Sequence, residues 1–158
     1  MRLSSRARYA VRLTLEVHRQ GDTGDPVRLS DVAKATNISK SFLEQLAMAL
    51  KSHCILRAIC GRNGGYLLGR AANEITIGDV LRAVTGPIDL VTEIPKDCAT
   101  PDFCQSRLVW MLLEQRINQL LDDYTIADIS DETSLESIRD LLNTERAHGG
   151  GTSGVLQK

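Results

Sequence analysis

The chain has 158 residues with a formal net charge of −1, 42% apolar and only 4% aromatic side chains. That length holds one domain with an appended element and is enough to bury a real core, and the shortage of aromatics fits a helix-rich protein better than a β-sandwich. No window reaches the apolar length of a bilayer span, and the start MRLSSRARYAVRL lacks the apolar run and cleavage site of a signal peptide, so a soluble cytoplasmic protein is expected.

Charge is divided unevenly. Residues 1–70 carry 12 Lys/Arg against 5 Asp/Glu, whereas residues 71–158 carry 7 against 15. A basic half joined to an acidic half suits a polyanion-binding surface plus a separate region, although two merely solvated faces give the same tally.

In chain order, Ser4 to Arg19 reads as a helix, with Ser4 as its cap and Tyr9, Ala10, Leu13 and Val17 at helical spacing. The stretch GDTGDP, Gly21 to Pro26, then breaks the chain. Ser30 is the expected N-cap of a short helix with Asp31 in its first turn and Val32 and Ala33 inward. That helix stops near Asn37, a residue that tolerates the left-handed conformation. Ser39 caps the next helix, in which Phe42, Leu43, Leu46, Ala47 and Leu50 form one apolar stripe. Two helices joined by a turn this short are a helix-turn-helix or an ordinary helical hairpin. The first reading gains because Ser39, Lys40, Ser41, Glu44 and Gln45 lie off the stripe, where a recognition helix meets base edges.

ILRAIC (Ile55 to Cys60) and YLL (Tyr66 to Leu68) read as two strands with GRNGG between them. The glycines lack the lysine and hydroxyl that close a P-loop, and their spacing is wrong for a dinucleotide fingerprint. They fit a tight hairpin tip instead. A helix-turn-helix followed by a basic hairpin is a winged helix, whose wing would carry Arg57, Arg62 and Asn63 to a phosphate backbone or minor groove.

Thr76 and Asp79 have capping-box spacing, and Gly86-Pro87 ends the helix that they begin. A loop follows, and then a long helix from about Asp102 to Tyr124. Val109, Leu112, Leu113, Ile117, Leu120 and Leu121 lie on one side of it. Spanning about 34 Å, it exceeds what a small winged domain covers, so a dimerisation helix is favoured over intrachain core. Thr125 and Asp128 cap one more turn, and Ser134 to Asn143 reads as a last short helix. The expected fold is mainly α with a small β-hairpin wing. The winged helix-turn-helix DNA-binding domain spans 1–86, a cysteine-containing sensor loop 87–104, the dimerisation helix and C-terminal helices 102–143, and a disordered tail 144–158.

MRLSSRARYAV, ISKSFLEQL, GRNGGYLLGR and ITIGDVLRAV, in that order, resemble the Rrf-two family of bacterial winged-helix transcription regulators, in register from Met1 to about Ile129. The resemblance implies a homodimer with crossing long helices, each subunit placing a recognition helix in the major groove and a wing in the minor groove of an operator duplex. Carried across, the recognition helix is Ser39 to Lys51, with Ser39, Lys40, Ser41, Glu44, Gln45 and Lys51 as contacts. The wing supplies Arg57, Arg62, Asn63, Gly64, Gly65 and Tyr66, and Arg2, Arg6 and Arg8 lie where the first helix approaches phosphates. A repressor is the expected sense of regulation.

Of the cysteines, Cys54 and Cys60 bracket the first wing strand and are expected to be small buried hydrophobes rather than ligands. Cys98 and Cys104 lie in a polar loop before the long helix, and reduced thiols are expected in a cytoplasmic chain. By the resemblance, cluster-binding relatives keep three cysteines in this loop, and some add a histidine beyond the last. Here Thr92 stands at the first cysteine's place and Arg107 at the histidine's, while Arg8 and Arg12 occupy the positions from which a partner's first helix would supply a ligand. Three readings stay open: an iron–sulfur cluster (2Fe-2S or 4Fe-4S) on Cys98, Cys104 and further ligands, a thiol redox switch between them, or no cofactor and two inert thiols. An enzyme is disfavoured because His18, His53 and His148 have no catalytic motif around them. An adaptor that lost DNA binding is disfavoured by the basic half.

Overall fold

Ser4 opens the first helix as its sequence position predicts, its hydroxyl accepting the Ala7 amide at 3.2 Å. The computed structural model describes residues 4–21, 23–90 and 105–148, and the helix is α1 (Ser5–Gln20). Its buried side is Ala7, Ala10, Leu13, Thr14 and Val17, and the helix packs against the next three helices and the second hairpin strand. Thr14 is tolerated there because its hydroxyl donates to the Ala10 carbonyl at 3.0 Å.

The second helix, α2 (Leu29–Thr36), begins earlier than its serine suggests. The N-cap is Arg28 rather than Ser30, because the Arg28 carbonyl already accepts the amides of Asp31 and Val32, at 2.9 and 3.2 Å. Asn37 ends it in the left-handed conformation, φ 56° and ψ 35°. Ser39 then stands at the N-cap of α3 (Lys40–Ser52), where its carbonyl, not its side chain, makes the capping contacts to Phe42 and Leu43. Leu43, Leu46, Ala47 and Leu50 are fully buried and Phe42 meets the Tyr9 ring edge-on, so the apolar stripe of α3 is spent on the core, with α1 as one of its partners.

The hairpin is β1 (Leu56–Ile59) against β2 (Gly65–Leu68), antiparallel, with Leu56 opposite Leu68 and Ile59 opposite Gly65. A contact that the sequence does not reveal fixes it to the body. Val27 and Tyr66 exchange both backbone hydrogen bonds, at 2.9 and 2.8 Å, as an isolated third-strand bridge. Gly65 permits that approach, since a Cβ there would sit 2.5 Å from the Val27 carbonyl oxygen.

The helix α4 (Ile77–Thr85) and the short α6 (Ile126–Ser130) both start with the capping boxes that their Thr-x-x-Asp spacing predicts. The two starts lie side by side: Ile77 donates to the Tyr124 carbonyl at 2.8 Å and Ile126 to the Ile75 carbonyl at 2.9 Å. Ile75, Val80 and Ile126 complete the core.

Between them in sequence comes α5 (Gln105–Asp122); the expected start at Asp102 lies outside the described residues. The last helix, α7 (Glu132–His148), is longer at both ends than the expected Ser134 to Asn143 and takes in the first residues of the stretch expected to be disordered. Asp131 sets its start, its carboxylate accepting the Ser134 amide at 2.8 Å. Among the described residues no helix is long and apolar enough to cross a membrane.

Candidate nucleic-acid interface

On α3 the outward face is left entirely to side chains that the core does not use. Ser39, Lys40, Ser41, Glu44, Gln45 and Lys51 are all exposed. Lys40 and Glu44 pair across one turn at 3.6 Å, a contact open to solvent and readily exchanged for a phosphate or base. Met48 is also exposed there, and polar patterning alone did not single it out.

The wing divides its predicted residues between two jobs. Arg62 and Asn63 are exposed at the tip, and the Arg62 carbonyl accepts a hydrogen bond from Arg28 Nη2 at 3.2 Å, tying the tip to the start of α2. Arg28 is therefore a positioning residue that the sequence reading missed; its place immediately before α2 was the available signal. Arg57 is exposed, and its Nε donates to the Leu68 carbonyl across the hairpin at 3.3 Å. Gly64, Gly65 and Tyr66 are half-buried. Tyr66 packs on the core, and its backbone makes the Val27 bridge.

Along the first helix, Arg8 is exposed, whereas Arg6 turns inward and donates from Nε to the Val84 carbonyl near the end of α4, at 2.9 Å. This is a favourable place for a cation, beside the unpaired carbonyls of a helix C-terminus. Arg2 lies outside the described residues.

The expectation that Cys54 and Cys60 are buried is wrong: both are exposed free thiols. Cys54 follows the C-cap of α3 in the left-handed region at φ 55°. Its amide donates to Lys51 and the next amide, from Ile55, reaches back to Leu50. That is the Schellman pattern, which turns the residue outward while the flanking Leu50 and Ile55 pack inside. Cys60 is at the wing end of β1, beyond the reach of the core.

Behind the interface a chain of charges connects the wing to the long helix. Arg70, just past β2, pairs with Asp79 at 3.0 Å; Asp79 pairs with Arg82 at 3.4 Å; Arg82 pairs with Asp122 at the end of α5 at 2.5 Å. Burial works against ionisation of Asp79, but hydrogen bonds from Arg70, the Thr76 amide and Arg82 outweigh it and hold its pKa below the usual carboxylate value. The Asp122 carboxylate likewise raises the pKa of Arg82.

Cys98, Cys104 and Thr92 lie outside the described residues. The positions compared with cluster-binding relatives supply an incomplete donor set. The loop supplies two thiols where four ligands are usual, Arg107 offers only a cationic donor, and Arg8 and Arg12 are exposed arginines.

A helix-turn-helix with an outward polar recognition helix and a braced basic wing defines a winged-helix DNA-binding protein. The profile of the Rrf2 family, described as iron-dependent transcriptional regulators, matches residues 3–132, and the chain belongs to that family. It is 35% identical over 146 residues, covering 92% of this chain and 88% of the relative, to the HTH-type transcriptional regulator IscR of Serratia proteamaculans. Among solved structures it is similar to CymR, the global cysteine regulator of B. subtilis, with TM-score 0.69 and 30% identity over 82% of this chain and 96% of that one. It is also similar to T. potens IscR, with TM-score 0.66 and 25% identity over 98% and 94% of the two chains. The chain is thus a transcriptional regulator of mainly α winged-helix fold, and its relatives are regulators rather than enzymes.

Proposed function

We propose that the protein is a cytoplasmic homodimer that represses transcription by occupying a two-fold operator, with α3 in the major groove and the wing tip at the minor groove. One observation carries the reading of α3: Leu43, Leu46, Ala47 and Leu50 of its apolar stripe are buried, while Lys40, Gln45 and Lys51 are exposed together on the rest of the helix. Contacts by Ser39, Lys40, Ser41, Gln45 and Lys51 specify or position the helix, and Arg62 and Asn63 anchor the wing.

The same reading assigns dimerisation to α5. Leu108, Val109, Trp110, Met111, Leu112 and Leu113 are consecutive and all exposed, Leu108 at 70%. Val109, Leu112, Leu113, Ile117, Leu120 and Leu121 share one side at helical spacing, and Leu108, Trp110 and Met111 carry exposed apolar surface around the rest of that stretch, which favours cover by another chain. A second copy of α5 supplies it.

The sensing input is assigned to Cys98 and Cys104, ahead of α5 in sequence. Two thiols support a response to their oxidation state rather than a cluster. Unchanged operator affinity of the Cys98→Ala, Cys104→Ala double variant under both oxidising and reducing conditions, matched by an equally unresponsive wild type, would remove that assignment.

For the interface itself, Arg62→Ala should weaken operator binding about a hundredfold, because the dimer loses two charge-assisted contacts worth about tenfold each. Sedimentation should still report a dimer. Undiminished binding would place the wing away from DNA.

A further inference from the structure

We propose that Met48 is a specificity-determining residue, reading the C5-methyl groups of thymines in the major groove. The inference rests on the DNA-binding reading above. Met48 is 70% exposed, and every other exposed large apolar side chain among the described residues belongs to α5 or α7. It is not overflow from the core, because the buried stripe of α3 is complete without it.

Its direction on the helix is fixed by spacing. Met48 follows Ser41 by seven positions, so the two side chains leave the helix within about 20° of each other, roughly 10 Å apart along the axis. Gln45 is one turn away on the same side. A helix that presents Ser41 and Gln45 to base edges therefore presents Met48 as well. In the major groove the thymine methyl is the apolar group that distinguishes a base, and apolar side chains are its readers. The unbranched thioether chain adapts to such an uneven apolar surface. Neither phosphate nor water gives an exposed methionine anything comparable.

The test uses the full-length protein. Wild type selects a preferred duplex from a random library, and each thymine in that duplex is then replaced by deoxyuridine, which removes only the methyl. Wild type should lose about fourfold in affinity at one thymine per half-site, the value of one buried methyl. Met48→Gln, a good helix former at an exposed site, should bind the thymine and uracil duplexes equally, and Met48→Leu should keep the penalty. Matching melting temperatures establish that the variants fold. Wild type indifferent to every methyl, or Met48→Gln with the full penalty, overturns the assignment and points to Met48 as a contact for another protein. A wild type that selects no sequence at all overturns the DNA-binding reading and this inference with it.

Discussion

Gly78→Ala probes the joint between the winged domain and the long helix. Gly78 is buried in the first turn of α4, and a Cβ on it would collide with Asp122 Oδ1 and lie 2.8 Å from both terminal nitrogens of Arg82. Those side chains form a two-point pair, Nη2 to Oδ1 at 2.5 Å and Nη1 to Oδ2 at 3.3 Å, and the Thr76 hydroxyl donates to the same Oδ1 at 3.1 Å. The added methyl displaces the ends of flexible side chains, not backbone, so α4 persists. Alanine favours the helix by about 1 kcal/mol over glycine. The lost pair costs a similar amount: its side chains are 33% and 43% exposed, and solvent screens it to about 1 kcal/mol. The net change in stability is therefore near zero, and only a cycle exposes what happened. By urea unfolding at fixed protomer concentration, Asp122→Ala should cost about 1 kcal/mol in the wild type and nothing in the Gly78→Ala background. An equal cost in both backgrounds would refute the placement of the pair over Gly78.

Acid should loosen the two capping boxes. Hydrogen bonds from the Thr125 hydroxyl and amide hold Asp128 below its usual pKa, as the Arg70, Thr76 and Arg82 bonds do for Asp79 against the cost of burial. With both folded-state values below the unfolded one, their stabilisation is complete above about pH 4 and is lost as pH falls through the lowered values. Urea midpoints measured downward from pH 5 should fall, and the Asp79→Asn, Asp128→Asn double variant should fall less steeply. Cys54→Gly should stabilise the fold by about 1 kcal/mol, because glycine removes the cost of a side chain in the left-handed region; a destabilised variant would show that the thiol holds a contact of its own.

Local features of the fold were legible because local chemistry sets them. Asn37 and Ser39 bound the turn of the helix-turn-helix, and both Thr-x-x-Asp boxes start helices where their spacing places them. The glycine run marks the wing because only short-range turn geometry is at stake. What escaped depends on approaches between distant segments. The Val27–Tyr66 and Thr76–Thr125 bridges pair backbones, whose hydrogen bonding leaves no side-chain signal. The inward turn of Arg6 depends on where α4 ends, and the exposure of Cys54 on a chain reversal that alternation cannot encode. For the candidate interface, polarity picked out the exposed residues of α3 but passed over Met48, since an apolar residue in a helix reads as core until its face is counted.

The central claim, a dimer that holds operator DNA through its recognition helices and wings, is tested most directly by the salt dependence of affinity for a selected duplex. With Lys40, Lys51 and Arg62 exposed on each subunit, about six phosphates neutralised per dimer give a slope of log affinity against log salt near −5. A slope of that order, with far weaker binding to a scrambled duplex, is the predicted result. A flat salt response, or equal affinity for both duplexes, would contradict the account.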